Sequence, residues 1–381
     1  MPGSGPLEVW TMGAGAPHSV QRQAVAAEQA GWDGLLVVDS QNLSCDPFVN
    51  LTAAALATTR LRLGTGVTNP STRHPAATAA AIASVHHLSG GRAVLGIGRG
   101  DSALAHLGLA PAPPADLERY VAVVRAYLRG RPVAFEQLAP YHRDGARPVS
   151  SLGLAGGPAD SRMRWVEWLD PALPPVPVEV AATGPRALAL AAAGADRVLL
   201  AVGADPDRVA AAVALVRSVD PDVPIGAFVN VVVDDDADTA RQLAAGSLAT
   251  FARFSVMDGR VRADMDEASR AQLTRLHAAY DMNDHTRAGS SQAGTLDPAF
   301  ADRFGILGPA AHCVDRLLAL AELGIDRFVV TGPSRDADQS ASRRAHKAFA
   351  TEVIPGLRTL RSTPAARSTA RPARPDGLDL R

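Results

Sequence analysis

Two aspartates, Asp39 and Asp101, stand just beyond two short apolar β-type runs, Leu35 to Asp39 and Ala93 to Ile97. A carboxyl group so placed bonds a flat heterocycle or, where burial raises its pKa, donates a proton. A single aspartate at such a point is more often a loop or helix cap, but a pair at matching run ends favours chemistry. His74, between Arg73 and Pro75, reads either as an acid or hydrogen-bond donor or as a capping residue. Thr183-Gly184-Pro185-Arg186 joins a β-type run directly to a helical one. It offers free backbone N–H groups, a hydroxyl and a guanidinium at the positive end of a helix dipole, which suits a phosphate. An ordinary turn with a capping threonine reads equally well. Gly66-Val67-Thr68-Asn69 and Gly98-Arg99-Gly100 close two further runs, and the glycines supply backbone able to lie flat against a planar ring.

Other chemistries are excluded by spacing. Gly96-Ile97-Gly98-Arg99-Gly100 lacks the glycine spacing of a dinucleotide fingerprint, and no suitable acidic residue follows a second strand at the distance that motif needs. There is neither H-E-x-x-H nor an H-x-H after the first strand, so no metal is expected. No G-x-S-x-G elbow occurs. Lys347 is the only lysine, which disfavours Schiff-base chemistry. Cys45 and Cys313 form no pair and read as reduced core thiols.

The elements that must position these residues alternate. Apolar runs at Leu7 to Met12, Leu35 to Asp39, Leu61 to Val67, Ala93 to Ile97, Val178 to Ala182, Arg197 to Val202, Pro224 to Val233 and Arg327 to Thr331 are separated by Ala-rich stretches of helical period. Asp46-Pro47 and His74-Pro75 are helix-start signals. Eight strand–helix units favour a closed (β/α)8 TIM barrel over an open doubly wound sheet, and active sites of such barrels lie at the strand C-termini. The alternation lapses twice, at about 130–177 after helix four and about 237–302 before strand eight, giving two insertions in a domain spanning 1–361. Residues 362–381 mix Ser, Thr, Ala, Pro and Arg without period and read as a disordered tail.

With 381 residues, 47% of them hydrophobic, the chain fills a large core, and its net charge of -1 predicts no grip on nucleic acid or membrane. No signal-peptide pattern and no run of about 18 apolar residues occurs, so a cytoplasmic enzyme acting on a small molecule is expected.

The segments Leu63 to Pro70, Thr72 to Pro75, Ser89 to Arg92, Gly96 to Leu104, Val178 to Arg186, Tyr280 to His285 and Phe304 to Gly308 with Cys313 to Leu317 resemble the luciferase-like flavin-dependent oxidoreductases. Within them they are similar to the methylenetetrahydromethanopterin reductase group. The resemblance implies a flavin or deazaflavin ring over the strand ends, with Asp39, Asp101, Gly66, Val67, Gly98 and Gly100 at the ring, and Thr68 and Asn69 at its edge. Thr183, Gly184, Pro185 and Arg186 fall at the phosphate. It further implies a non-prolyl cis peptide at Gly66–Val67. Asp39-Ser40 departs from the Asp-His of many deazaflavin members, which weakens an acid role there. The favoured expectation is a reduced deazaflavin, coenzyme F-420, giving hydride to a C=C or C=N bond, with Asp101 or His74 relaying a proton. FMN with a monooxygenase activity is the alternative, and a non-catalytic flavin-binding barrel a second. Tyr280, Asp281 and His285 touch substrate if their segment folds over the mouth; otherwise they are solvated surface. The resemblance implies a homodimer through helices two and three; the small-residue face Ala76 to Ala83 permits close packing there, and packing against the barrel itself explains that face equally well.

Overall fold

A computed structural model describes residues 7–168, 170–257, 259 and 265–362; the proposed tail, from residue 363 on, and Met1 to Pro6 lie outside them. The strands are β1 (Glu8–Gly13), β2 (Gly34–Val37), β3 (Arg62–Thr65), β4 (Ala93–Ile97), β5 (Val178–Ala182), β6 (Arg197–Leu200), β7 (Ile225–Val233), β8 (Ile306–Gly308) and β9 (Arg327–Thr331). Most of their residues are buried on both faces, as parallel strands covered by helices must be. β1 through β7 pair in sequence, and β9 joins β7 to β1, closing an eight-stranded parallel barrel.

β8 is an addition that the sequence did not disclose. Its three residues pair with the C-terminal half of β7, Val231 opposite Ile306. Ala204, just beyond β6, donates its N–H to the Phe304 carbonyl at 2.7 Å, which holds the short strand above β6. Three residues are too few to register as an apolar run.

The helices are α1 (Pro17–Gln29), α2 (Pro47–Ala57), α3 (Pro75–Leu88), the single turn α4 (Ser102–Ala105), α5 (Pro114–Leu128), the short α6 (Phe135–Leu138), α7 (Pro185–Gly194), α8 (Pro206–Val219), α9 (Ala237–Arg253), α10 (Glu267–Ala278), α11 (Pro298–Phe304), α12 (Ala310–Glu322), α13 (Gln339–Ala348) and α14 (Ile354–Ser362). Seven of them begin on proline, whose missing N–H and fixed φ suit a first helical position. Asp46 caps α2 as expected, accepting from the Phe48 and Val49 N–H groups at 2.8 and 3.2 Å. Arg92 donates to the Ala55, Thr58 and Leu61 carbonyls, satisfying the end of α2 and the entry to β3. The first insertion lies between α5 and β5 and is anchored by the Val133–Ser161 bridge; the second carries α9, α10 and α11.

Trp10, Leu36, Val94, Leu199, Phe228 and Val329 fill the barrel interior. Its N-terminal end is closed by charge. The buried Arg327 guanidinium lies over the Trp10 ring at 4.1 Å and donates to Glu179 and Glu8, each at 2.6 Å. No helix among the described residues is long and apolar enough to cross a membrane. Cys313 is buried, and burial pushes its thiol up to about 12. Cys45 is exposed, contrary to the core placement expected for both cysteines.

Candidate active site

The polar residues gather at the C-terminal ends of the strands. The Gly66–Val67 peptide just past β3 is cis. A Cβ on Gly66 would come within 2.7 Å of Leu36 Cβ and 2.9 Å of Met12 Cε, so that position admits only glycine. Gly100 has φ +80°, and its Cβ would lie 2.8 Å from Leu104. Gly98 lies between Val67 and Ala181, which with Met12 pack onto the top of the barrel interior. Thr68 and Asn69 follow, both fully buried; Asn69 Oδ1 accepts from the Ser71 and Thr72 N–H groups at 3.0 and 3.1 Å.

The segments that carry Asp39 and Asp101 meet, with the Ser40 and Ser102 hydroxyls 3.1 Å apart. Neither is a cap of the ordinary kind. Asp39 has no exposed side-chain surface and accepts from Arg73 Nη1 at 2.5 Å and from the Gln41 amide. Asp101 stands before α4 but makes no capping hydrogen bond; its Oδ1 pairs with Arg253, from the end of α9. Burial raises the Asp101 pKa and the Arg253 guanidinium partly offsets this. Among the described residues, Oδ2 is buried and has no partner, and neither have Thr68 Oγ1, Asn69 Nδ2 and Gln41 Oε1.

Arg253 in turn lies 4.8 Å from the centre of the Tyr280 ring. The Tyr280 hydroxyl is 2.9 Å from His285 Nδ1 and 3.4 Å from Thr250 Oγ1. Burial pushes Tyr280 up to about 12 and, with Arg253 adding to it, brings His285 down to about 4, so both are neutral at physiological pH. The second insertion therefore comes over the mouth beside Asp101, and the solvated-surface reading of Tyr280 and His285 gives way. Asp281 is exposed and caps the turn at Asn283.

Other expected residues are placed differently. His74 Nδ1 accepts from the Ala76 N–H at 3.2 Å, realising the capping reading, and its ring lines a separate cleft rather than the mouth. Thr183 does not cap α7: its hydroxyl donates to the Ala201 carbonyl at 3.3 Å, and among the described residues no side chain caps that helix start. Thr183, Gly184 and Pro185 line a cavity of about 750 Å³ that reaches Ala181 and Phe254 at the barrel mouth. Arg186 is exposed and does not line it; the guanidinium groups there belong to Arg99, Arg208 and Arg303. Arg303 is engaged by Asp205 at 2.8 Å.

A cis peptide, buried unpartnered polar atoms and a helix start opening onto a roomy cavity thus meet at the C-terminal mouth of a (β/α)8 barrel. The sequence model of the luciferase-like monooxygenase family matches residues 5–327, and the chain belongs to that family of oxidoreductases. It is 28% identical to the 5,10-methylenetetrahydromethanopterin reductase of Methanolobus tindarius over 323 residues, covering 82% of this chain and 90% of that one. It is 27% identical to the F-420-dependent glucose-6-phosphate dehydrogenase of Beutenbergia cavernae over 371 residues, covering 90% and 94%. The solved structure of the F-420-dependent tetrahydromethanopterin reductase from Methanopyrus kandleri superposes with a TM-score of 0.69 at 23% identity, covering 93% of this chain and all of that one.

Proposed function

We propose that the protein uses reduced coenzyme F-420 to transfer hydride to a C=C or C=N bond of a small organic substrate. The observation that carries this reading is the set of sealed, unpartnered polar atoms beside the bulge: Thr68 Oγ1, Asn69 Nδ2 and Asp101 Oδ2. Buried polar groups without partners cost stability, so their grouping at one mouth fits a ligand that supplies the missing bonds. Relatives named as F-420-dependent or as methylenetetrahydromethanopterin reductases support the deazaflavin over FMN.

When bound, the deazaflavin supplies a hydride from carbon without readily activating oxygen. Thr68 and Asn69 would hold the edge of the ring. The free N–H groups opening α7, with Arg99 across the cavity, would take its phosphate. Asp101 offers Oδ2 for proton relay: burial raises its pKa, while Arg253 keeps Oδ1 engaged. Tyr280, with His285 behind it, excludes water from that side and adds no charge. Asp39, tied to Arg73, serves as an acceptor toward the ring system rather than as an acid. The same proposal includes a cytoplasmic homodimer, supported by Val49 and Leu56, which are 55% and 69% exposed seven residues apart on α2.

Thr68→Val tests the reading with opposite signs. Removing a buried hydroxyl that has no partner leaves stability unchanged or raises it by up to about 1 kcal/mol. The same change weakens deazaflavin binding, followed by fluorescence titration, by about tenfold. Binding of FMN with no binding of deazaflavin would overturn the proposal.

A further inference from the structure

A second cleft of about 470 Å³ lies outside the barrel mouth, between the segment Pro70–His74, the first turns of α5 and the start of the first insertion. Its walls carry Arg73, His74, Arg119, His142 and Arg143, against the single carboxylate of Asp116. Arg73 is balanced by Asp39 and Asp46, at 2.5 and 2.8 Å, and Arg119 by Asp116. No ion pair among the described residues engages Arg143, His74 or His142, so positive charge and protonatable rings remain over.

The two imidazoles stack at 6.1 Å with 9° between their planes, and Tyr141 meets His74 edge-on at 5.9 Å. Stacked imidazoles oppose one another's protonation: burial first, then His142, lowers the His74 pKa. His74 Nδ1 is used as an acceptor by the Ala76 N–H, so its ring proton sits on Nε2. Thr72 Oγ1 and the Tyr141 hydroxyl, both on the cleft wall, are buried without partners. Two orphaned hydroxyls beside unbalanced cations are the pattern a bound anion completes.

We propose that this cleft binds a compact dianion, a phosphate ester or a dicarboxylate, at a site distinct from the cofactor pocket. Two charges match the excess of Arg143 and the imidazoles, and an anion beside His74 favours its protonated form against the burial that lowers its pKa. Binding therefore takes up protons and tightens as pH falls through the histidine range. Arg73 belongs to both sites, since one of its nitrogens holds Asp39 at the mouth while its side chain lines the cleft. The site does not depend on which cofactor the barrel holds.

Calorimetric titration with sulfate, whose charge does not change near neutrality, tests the proposal. It is run in the full-length Arg99→Gln variant, so that the cofactor-phosphate pocket is weakened. Sulfate is expected to bind more tightly at about pH 6 than at about pH 8. The added pair Arg119→Gln and Arg143→Gln, both exposed and outside the proposed catalytic machinery, is expected to weaken it about tenfold with circular dichroism unchanged. Competition by methyl phosphate or by malonate then identifies an ester or a dicarboxylate as the natural class. Absence of sulfate binding in the Arg99→Gln variant, or binding indifferent to the Arg119 and Arg143 changes, overturns the proposal.

Discussion

Arg253→Met removes the one cation that bonds Asp101 among the described residues, while keeping the bulk that covers Tyr280. The two side chains of the pair are 12% and 9% exposed, so solvent screens their attraction little. At an effective dielectric of about 20, opposite charges about 4 Å apart attract by about 4 kcal/mol, equivalent to about 3 pKa units. Burial already raises Asp101, and Arg253 is the group among the described residues that lowers it. The Asp101 carboxyl in the variant is therefore expected to titrate well above the ordinary carboxylate range. The sign follows from linkage. A carboxyl whose folded pKa exceeds its unfolded one binds its proton more tightly when folded, so stability falls as pH rises from the unfolded pKa to the folded one. Urea denaturation of the apo-protein should show the variant less stable than wild type by about 3 kcal/mol near pH 8 and close to it near pH 5. Asp101→Asn should remove most of that pH dependence in the variant. A variant whose deficit is the same at both pH values, or whose deficit Asp101→Asn leaves in place, refutes the reasoning.

Arg327→Met leaves Glu179, only 2% exposed, without its main partner at the barrel floor, and should cost about 3–5 kcal/mol by urea denaturation. Because that floor is remote from the mouth, deazaflavin affinity of the folded fraction should not change. Gly100→Ala places a Cβ 2.8 Å from Leu104 at φ +80°, so it should lower stability by about 1–3 kcal/mol and weaken the cofactor together. Leu56→Asp on α2 should shift the sedimentation of the proposed dimer toward monomer; an unchanged sedimentation coefficient would remove α2 from the interface.

The barrel was legible because each of its eight strands is an apolar run bounded by Gly, Pro or Asp, and because Asp46 and His74 announce helix starts that the structure realises. What escaped is non-local. Arg253 meets Asp101 across 152 residues, and Arg327 meets Glu179 across 148. No periodicity or spacing encodes such pairs; only closure of the barrel brings them together. β8 escaped for a different reason, having three residues and resting on β7 for its pairing. The glycines read as a platform for a ring prove to be packing requirements as well, since Gly66 abuts Leu36 and Met12. Tyr280 and His285 sit in a stretch whose polar composition suits a wet surface equally well, and their burial depends on where the second insertion lands.

The central claim is that the mouth beside Gly66–Val67 serves deazaflavin hydride transfer. Anaerobic mixing of the protein, loaded with reduced coenzyme F-420, with a panel of C=C and C=N acceptors tests it most directly. The account predicts that deazaflavin absorbance returns in a single turnover with one acceptor class, that Asp101→Asn slows it by about a hundredfold or more, and that oxygen alone does not produce it. Return of absorbance only with reduced FMN and oxygen, indifferent to Asp101, would contradict the account.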